Sequence, residues 1–212
     1  MRKARLLIIS FLCLALFGAA VFFLRNLLFG GIAATYEEAA LNKDAYKDQW
    51  ITYDVVACLG EYAEATETHY FIPTGHEYYY LIWMEDGSIM PLSVSKKADK
   101  EYLDALYDAT CDYLDGKTKM IEMEPRTFVG VVKSQESEAL SYYNGTLASN
   151  GITVTAGYTI RYELLDCTMN RTDYLLLVGA CMFIPVLGIA VAVVGFKKKS
   201  KKVEGEQAYL PK

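Results

Sequence analysis

Two long uncharged apolar blocks near the ends constrain this chain more than any other feature. Leu6 to Leu24 is a run of 19 residues without a charge, and Tyr174 to Phe196 a run of 23. At 1.5 Å per residue, helices of these lengths match a hydrocarbon core of roughly 30 Å. Both blocks are therefore expected to be transmembrane helices. Their flanks supply an orientation: Arg2, Lys3 and Arg5 precede the first, and Lys197, Lys198, Lys199, Lys201 and Lys202 follow the second. Lys and Arg beside a span stay on the cytoplasmic side. The expectation is a two-pass protein of the cell membrane, with the lipid bilayer as a partner, both termini cytoplasmic and the central domain extracytoplasmic. A cleaved signal peptide is the competing reading of the first block, with Gly18-Ala19-Ala20 at the cleavage site. The apolar run continues past that site through Val21-Phe22-Phe23-Leu24 and exceeds the roughly 7–15 residues of a signal h-region, which favours an anchor.

The organisation expected is a basic N-terminus at 1–5, a span at 6–24, an outer domain at 25–173, a second span at 174–196 and a basic tail at 197–212. Of 26 acidic residues, 24 lie between Asn26 and Asp173, with 11 of the 21 basic ones. This segment carries −13 and the remainder +8, a division hidden by the net charge of −5. So acidic a domain repels polyanions, and nucleic acid is not an expected partner.

Within the outer segment, Thr35-Tyr36-Glu37-Glu38 has the pattern of a capping box opening a short helix. Ile51, Tyr53, Val55, Ala57 and Leu59 recur with period two and predict one strand over 50–59. A meander is expected next: a strand at 68–72, a turn at Pro73-Thr74-Gly75-His76, a strand at 77–84, the hairpin signal Asp86-Gly87 and a strand at 88–94. The run Tyr78 to Met84 is apolar or aromatic on both faces, as for a strand with neighbours on each side and cover above and below. Pro91 lacks a ladder donor, so its strand is expected at an edge.

Tyr102, Leu106, Ala109 and Tyr113 share one helical face over 99–115, opposite Glu101, Asp104, Asp108, Asp112 and Asp115. A strand at 127–133, a helix over 136–150 and a half-buried strand over 158–164 complete the pattern. Asn144-Gly145 inside the second helix equally suits a hairpin. Strands and helices without regular βαβ alternation predict an α+β extracytoplasmic domain on a mainly antiparallel sheet, with an OB-like barrel as one form, flanked by two transmembrane helices.

Catalytic chemistry leaves no signature here. There is no Gly-x-Ser-x-Gly, phosphate-binding loop, dinucleotide fingerprint or His-Glu-x-x-His. His69 and His76 would stand about 10 Å or more apart in the expected hairpin, too far for one ion. Cys58, Cys111 and Cys167 are three outer thiols without a Cys-x-x-Cys pair, so one must stay unpaired within the chain. Cys111 falls amid the acidic helix face, which disfavours a thiolate. No catalytic, cofactor-binding or metal-ligating residue is assigned, and no cofactor is expected.

The basic ends, the two apolar blocks and the outer stretch Tyr53-Asp54-Val55-Val56-Ala57-Cys58-Leu59-Gly60 together resemble uncharacterised two-span membrane proteins of Gram-positive bacteria. The resemblance implies an architecture and no activity. The function expected is a non-enzymatic binding, sensing or interaction module. Alternatives are an accessory subunit of a membrane transporter complex, a homo-oligomer or membrane-protein partner being implied there, and a cell-envelope hydrolase using carboxylates not assignable from sequence.

Overall fold

The order of elements follows from where apolar periodicity changes from 3.6 to 2 along the chain. The computed structural model describes residues 2–69 and 72–180, with residues 183, 186, 187 and 190 beyond them. Two helices come first, α1 (Arg2–Phe23) and α2 (Arg25–Phe29). Then follow β1 (Ile32–Thr35), α3 (Tyr36–Leu41), β2 (Trp50–Val55), β3 (Cys58–His69), β4 (Ile72–Trp83) and β5 (Ser88–Val94). After α4 (Lys97–Leu114) come β6 (Arg126–Ser134), α5 (Ser137–Ser149), a single 3-10 turn (Val154–Ala156), β7 (Thr159–Ile160) and β8 (Glu163–Asp166). Contacts divide the chain into two units, Phe29–Asn170 and the terminal parts Met1–Leu28 with Arg171–Lys212.

The terminal unit corrects the expected topology. Among the described residues no helix is long and apolar enough to cross a membrane. In α1 three of the first four residues are Arg2, Lys3 and Arg5, which leaves an uncharged helical stretch over 6–23. Eighteen residues rise about 27 Å, at the short end of what spans a hydrocarbon core of roughly 30 Å, and the cations stand directly before them. Beyond α1, residues 171–180 are helical, with Arg171 and Asp173 in the first turn, and most of the second expected span, 174–196, lies outside the described residues. The two-pass membrane topology, and the cell-membrane placement derived from it, are overturned by this finding. Within this unit Arg171 Nε donates to the Leu28 carbonyl at 2.9 Å. The proline at 185, the cysteine at 181 and the basic run at 197–202 lie outside the described residues.

Unit Phe29–Asn170 is an α+β domain on a mixed eight-stranded sheet, ordered β1-β2-β6-β8-β5-β4-β3, with β7 also on β5. Pairings β2–β6, β3–β4, β4–β5 and β6–β8 are antiparallel, whereas β1–β2, β5–β7 and β5–β8 are parallel. This corrects the mainly antiparallel, OB-like expectation. The sheet is an open path with β1 and β3 at its two ends. A parallel partner needs a crossover, and the chain supplies one in α4, β6 and α5 between β5 and β8. Local periodicity carries no trace of such a pairing.

Pro91 shows the consequence. Its strand β5 is interior, with β4 on one side and β7 and β8 on the other. The parallel partners contact Ser88 and Ile89, then Leu92 and Ser93, so Pro91 faces the gap between the two short strands. The missing donor is placed where no ladder bond is required, which is why an interior proline is tolerated. The apolar run predicted as one strand over 158–164 is interrupted at the same gap, and Tyr162 is exposed there.

The β3–β4 hairpin also differs from expectation. His69 pairs with Ile72 and Thr66 with His76, so Pro73 to His76 belong to β4 rather than to a turn. Positions 70 and 71, between the two strands, lie outside the described residues. His76 stacks on Tyr78 and places Nδ1 2.8 Å from Glu64 Oε1. The strand expected over 50–59 is divided into the whole of β2 and the start of β3, with Val56 and Ala57 between them.

Strand β4 has a helix-covered core on each face. Tyr80 and Ile82 join Leu103 and Leu106 of α4, Tyr36 of α3 and Met90, Leu92 and Val94 of β5. Tyr79 and Leu81 join Ala139, Tyr143 and Leu147 of α5, with Tyr62, Ile89 and Leu164. The helix reading of 136–150 holds, and its Asn144-Gly145 step stays helical because Ala139, Tyr143 and Leu147, spaced by four, bury one face. The Asp86-Gly87 hairpin is present, closed by Met84 N donating to the Ser88 carbonyl at 2.8 Å.

Candidate functional site

A backbone irregularity at the start of β3 creates a recess in the domain. The β3–β4 register shifts between Cys58 and Gly60, so Leu59 is an extra residue and the strand bends. Gly60 sits at φ +111, and a Cβ there would lie 3.2 Å from Tyr107 Cε2. A glycine satisfies both conditions at once, the positive φ and the approach of the α4 tyrosine. Helix α4 then locks the bulge. Thr110, fully buried, accepts from the Cys58 amide at 3.2 Å while donating to the Leu106 carbonyl at 2.7 Å. The freed Gly60 amide donates to Cys58 Sγ at 3.4 Å.

Beside this bulge lies a cavity of about 290 Å³. Leu59, Leu81, Trp83 and Ile89 from the strands line it, together with Tyr107, Cys111 and Leu114 of α4. Asn150, Ile152 and Tyr158, from the segment that follows α5, complete the wall. It therefore forms where the two cores meet, drawing Cys58 from one and Leu81 and Ile89 from the other. Apolar and aromatic side chains joined by placed polar groups, here Thr110, Cys111 and Asn150, are the usual lining of a small-molecule pocket.

The two thiols in this wall differ. Cys58 is buried, and its thiol is pushed up to about 12, chiefly by burial, with the Gly60 amide opposing. It stays protonated and serves as an acceptor in the bulge. Cys111 is half-buried and forms a side-chain hydrogen bond with Tyr107. The sequence placed Cys111 on the acidic face; the structure turns it to the cavity, because burial in α4 is centred on Leu106 with its expected flanks Leu103 and Thr110, while Tyr113 is exposed. Cys13, Cys58, Cys111 and Cys167 are all free thiols.

Carboxylates and histidines are distributed without convergence on an ion: among the described residues no group of three or more His, Cys, Asp or Glu could hold a metal. The acidic side of α4 is tied instead to a lysine. Lys100 Nζ lies 2.9 Å from Glu61 and 3.0 Å from Asp104, and Tyr80 donates to Asp104 at 2.6 Å. Sequence patterning does not single out Tyr107, whereas it gives Leu59 and Tyr158 only as strand positions and Cys111 as part of the acidic helix face. The signal that could have found them is Leu59-Gly60, an apolar residue before a glycine inside a strand pattern, which marks a bulge.

Thr110→Val is expected to destabilise the domain by about 1–3 kcal/mol, because the buried Cys58 amide loses its acceptor while shape is conserved. Thr110→Ser, which keeps the oxygen, should lose much less. Chemical denaturation of the two variants checks this; equal losses would assign the effect to the methyl group.

Fold and recess together define a pocket-bearing α+β domain on a mixed sheet with helices covering both faces of its central strands. The chain belongs to the family described as Domain of unknown function (DUF8577), which matches residues 1–195. No curated protein and no solved structure matches it.

Proposed function

We propose that the domain is a non-enzymatic binding module whose cavity beside α4 takes a small apolar or aromatic molecule. The observation that carries this reading is the cavity itself: about 290 Å³, walled by Trp83, Tyr107, Tyr158 and aliphatic side chains, and built on a bulge that Thr110 holds in place. At about 30 Å³ per water, such a volume corresponds to some ten waters, the scale of a bicyclic aromatic. Thr110, Cys111, Asn150 and the tyrosines place polar groups among the apolar walls, so the guest is selected by shape and apolar area together with these groups.

Indole is a suitable probe for the full-length chain. Saturable binding is expected with Kd of roughly 0.1–1 mM, the range available to a ligand of so few atoms. Cys111→Trp, which fills the cavity from its half-buried wall, should abolish binding and leave the thermal transition intact. Undiminished binding by that variant would remove the cavity from the account.

A protein-interaction role is a second reading. An open groove lined by Val56, Trp83, Met84, Met120, Ile121 and Met123 supports it, since methionine-rich surfaces adapt to varied partners. The cavity beside α4 is less open than this groove, which favours the small-molecule reading.

A further inference from the structure

The wall of the cavity beside α4 divides into two parts that differ in burial and in the use of their polar groups. Cys58, Leu81, Ile89 and Thr110 are fully or almost fully buried and form its floor. The polar groups of this floor are committed within the protein. Thr110 donates to the Leu106 carbonyl and accepts the Cys58 amide, and Cys58 Sγ accepts the Gly60 amide. Tyr107, Leu114 and Tyr158 are 40%, 56% and 39% exposed, and Asn150 is exposed as well, so these four stand at the mouth. Tyr107 and Cys111 are hydrogen-bonded to each other, whereas Asn150 and Tyr158 keep capacity for a guest. Asn150 Nδ2 donates to the Thr146 carbonyl at 2.8 Å, which fixes the amide's orientation and leaves Oδ1 as an acceptor. Among the described residues the Tyr158 hydroxyl has no hydrogen-bond partner. The turn at Val154–Ala156 folds this segment back, with the Tyr158 amide donating to the Thr153 carbonyl at 3.3 Å, so both residues reach one mouth.

We propose that the guest is amphiphilic, with an apolar body against Leu81 and Ile89 and a hydrogen-bond-donating head at the mouth between Asn150 and Tyr158. The inference rests on the cavity being a binding site and adds which end of the guest enters. A polar head on the floor would lose its water and meet only groups already paired. At the mouth the same head keeps solvent on one side and gains Asn150 Oδ1. That oxygen can only accept, so the head must carry an O–H or N–H. The Tyr158 hydroxyl both donates and accepts, so it complements such a head. A reversed guest would leave its apolar body in water and forfeit burial against the strands. Recognition is thereby shared out: the sheet and α4 read the body, and the segment after α5 reads the head.

The test compares tryptophol (indole-3-ethanol) with 3-propylindole, which has a methyl group in place of the hydroxyl and the same shape, on the full-length protein. In the wild type, ring protons of tryptophol should give intermolecular NOEs to the Leu81 and Ile89 methyls, and its side-chain methylenes to the Tyr158 ring. By calorimetry, Asn150→Ala should weaken tryptophol by about fivefold and 3-propylindole by less than about twofold, as expected for one neutral hydrogen bond. The NOE pattern needs no variant, so it decides the matter should Asn150→Ala disturb the end of α5. Reversed NOEs, or equal losses for the two ligands in a folded variant, would overturn the proposal. Tryptophol failing to bind where indole binds would overturn this inference alone, whereas failure of indole as well would remove the cavity reading beneath it.

Discussion

Gly130→Ala is expected to cost about 3 kcal/mol or more, or to prevent folding outright. Gly130 lies in β6, paired with Ile51 of β2. A Cβ added there would stand 2.2 Å from the Asp166 carbonyl oxygen and 2.8 Å from Cys167 Sγ. The obstructing atoms are backbone of β8 and a buried thiol, so neither can rotate aside. Strand β8 must move from β6, and it also carries the parallel ladder to β5 through Leu165 and Asp166. One methyl group therefore opposes two pairings at the centre of the sheet, beyond the usual overpacking cost of about 1–3 kcal/mol. Equilibrium unfolding of the variant checks this; a loss below about 1 kcal/mol would mean that β8 is not seated as described.

Tyr143→Ala is expected to be nearly as severe, about 3–5 kcal/mol, the range for truncating a buried aromatic. Tyr143 is fully buried at the centre of the core beneath α5, edge-on to Tyr62 at 5.3 Å between ring centroids. Its hydroxyl donates to the Arg161 carbonyl at 2.8 Å and approaches the Ile89 carbonyl at 3.3 Å. Those two carbonyls belong to the stretch where β7 gives way to β8 along β5. Tyr143→Phe keeps the ring and removes this bridge, and about 1–1.5 kcal/mol should go with it. Similar losses for the two variants would show that the hydroxyl, not the ring, holds the site.

Much of the local structure was legible because it depends on neighbours in sequence. The apolar spacing within α4 and α5, the Asp86-Gly87 reversal and the two-faced strand at Tyr78 to Met84 all follow from side-chain period and turn chemistry. What escaped depends on residues far apart. Strand β8 enters between β5 and β6, and nothing near Leu92 or Leu165 announces that pairing. The His69–Ile72 register was hidden because Pro73-Thr74-Gly75 carries a stronger turn signal than the residues at 70 and 71. Pro91 was misplaced for a related reason: its lost donor is harmless at a gap that only the tertiary pairing creates.

The apolar blocks taught a different lesson. Hydropathy alone favoured spans, yet among the described residues no helix is long and apolar enough to cross a membrane, and three cations open α1 ahead of its uncharged stretch. The cavity was invisible in sequence since its lining comes from β3, β4, β5, α4 and the segment at 150–158, each contributing one to four side chains. Only Gly60 and Thr110, a strand glycine and a polar residue on the buried side of α4, hinted at it.

The central claim is that the cavity beside α4 is a binding site, and its occupancy can be measured directly. Protein-observed NMR of the full-length chain during indole titration should shift resonances of Leu59, Trp83, Cys111 and Ile152 along one saturable curve. Residues outside the lining, such as Thr52 and Asp54 of β2, should stay unmoved. Cys111→Trp should erase the cavity shifts without altering the rest of the spectrum. Shifts scattered over the surface that grow linearly with indole, or an identical response in Cys111→Trp, would contradict the account.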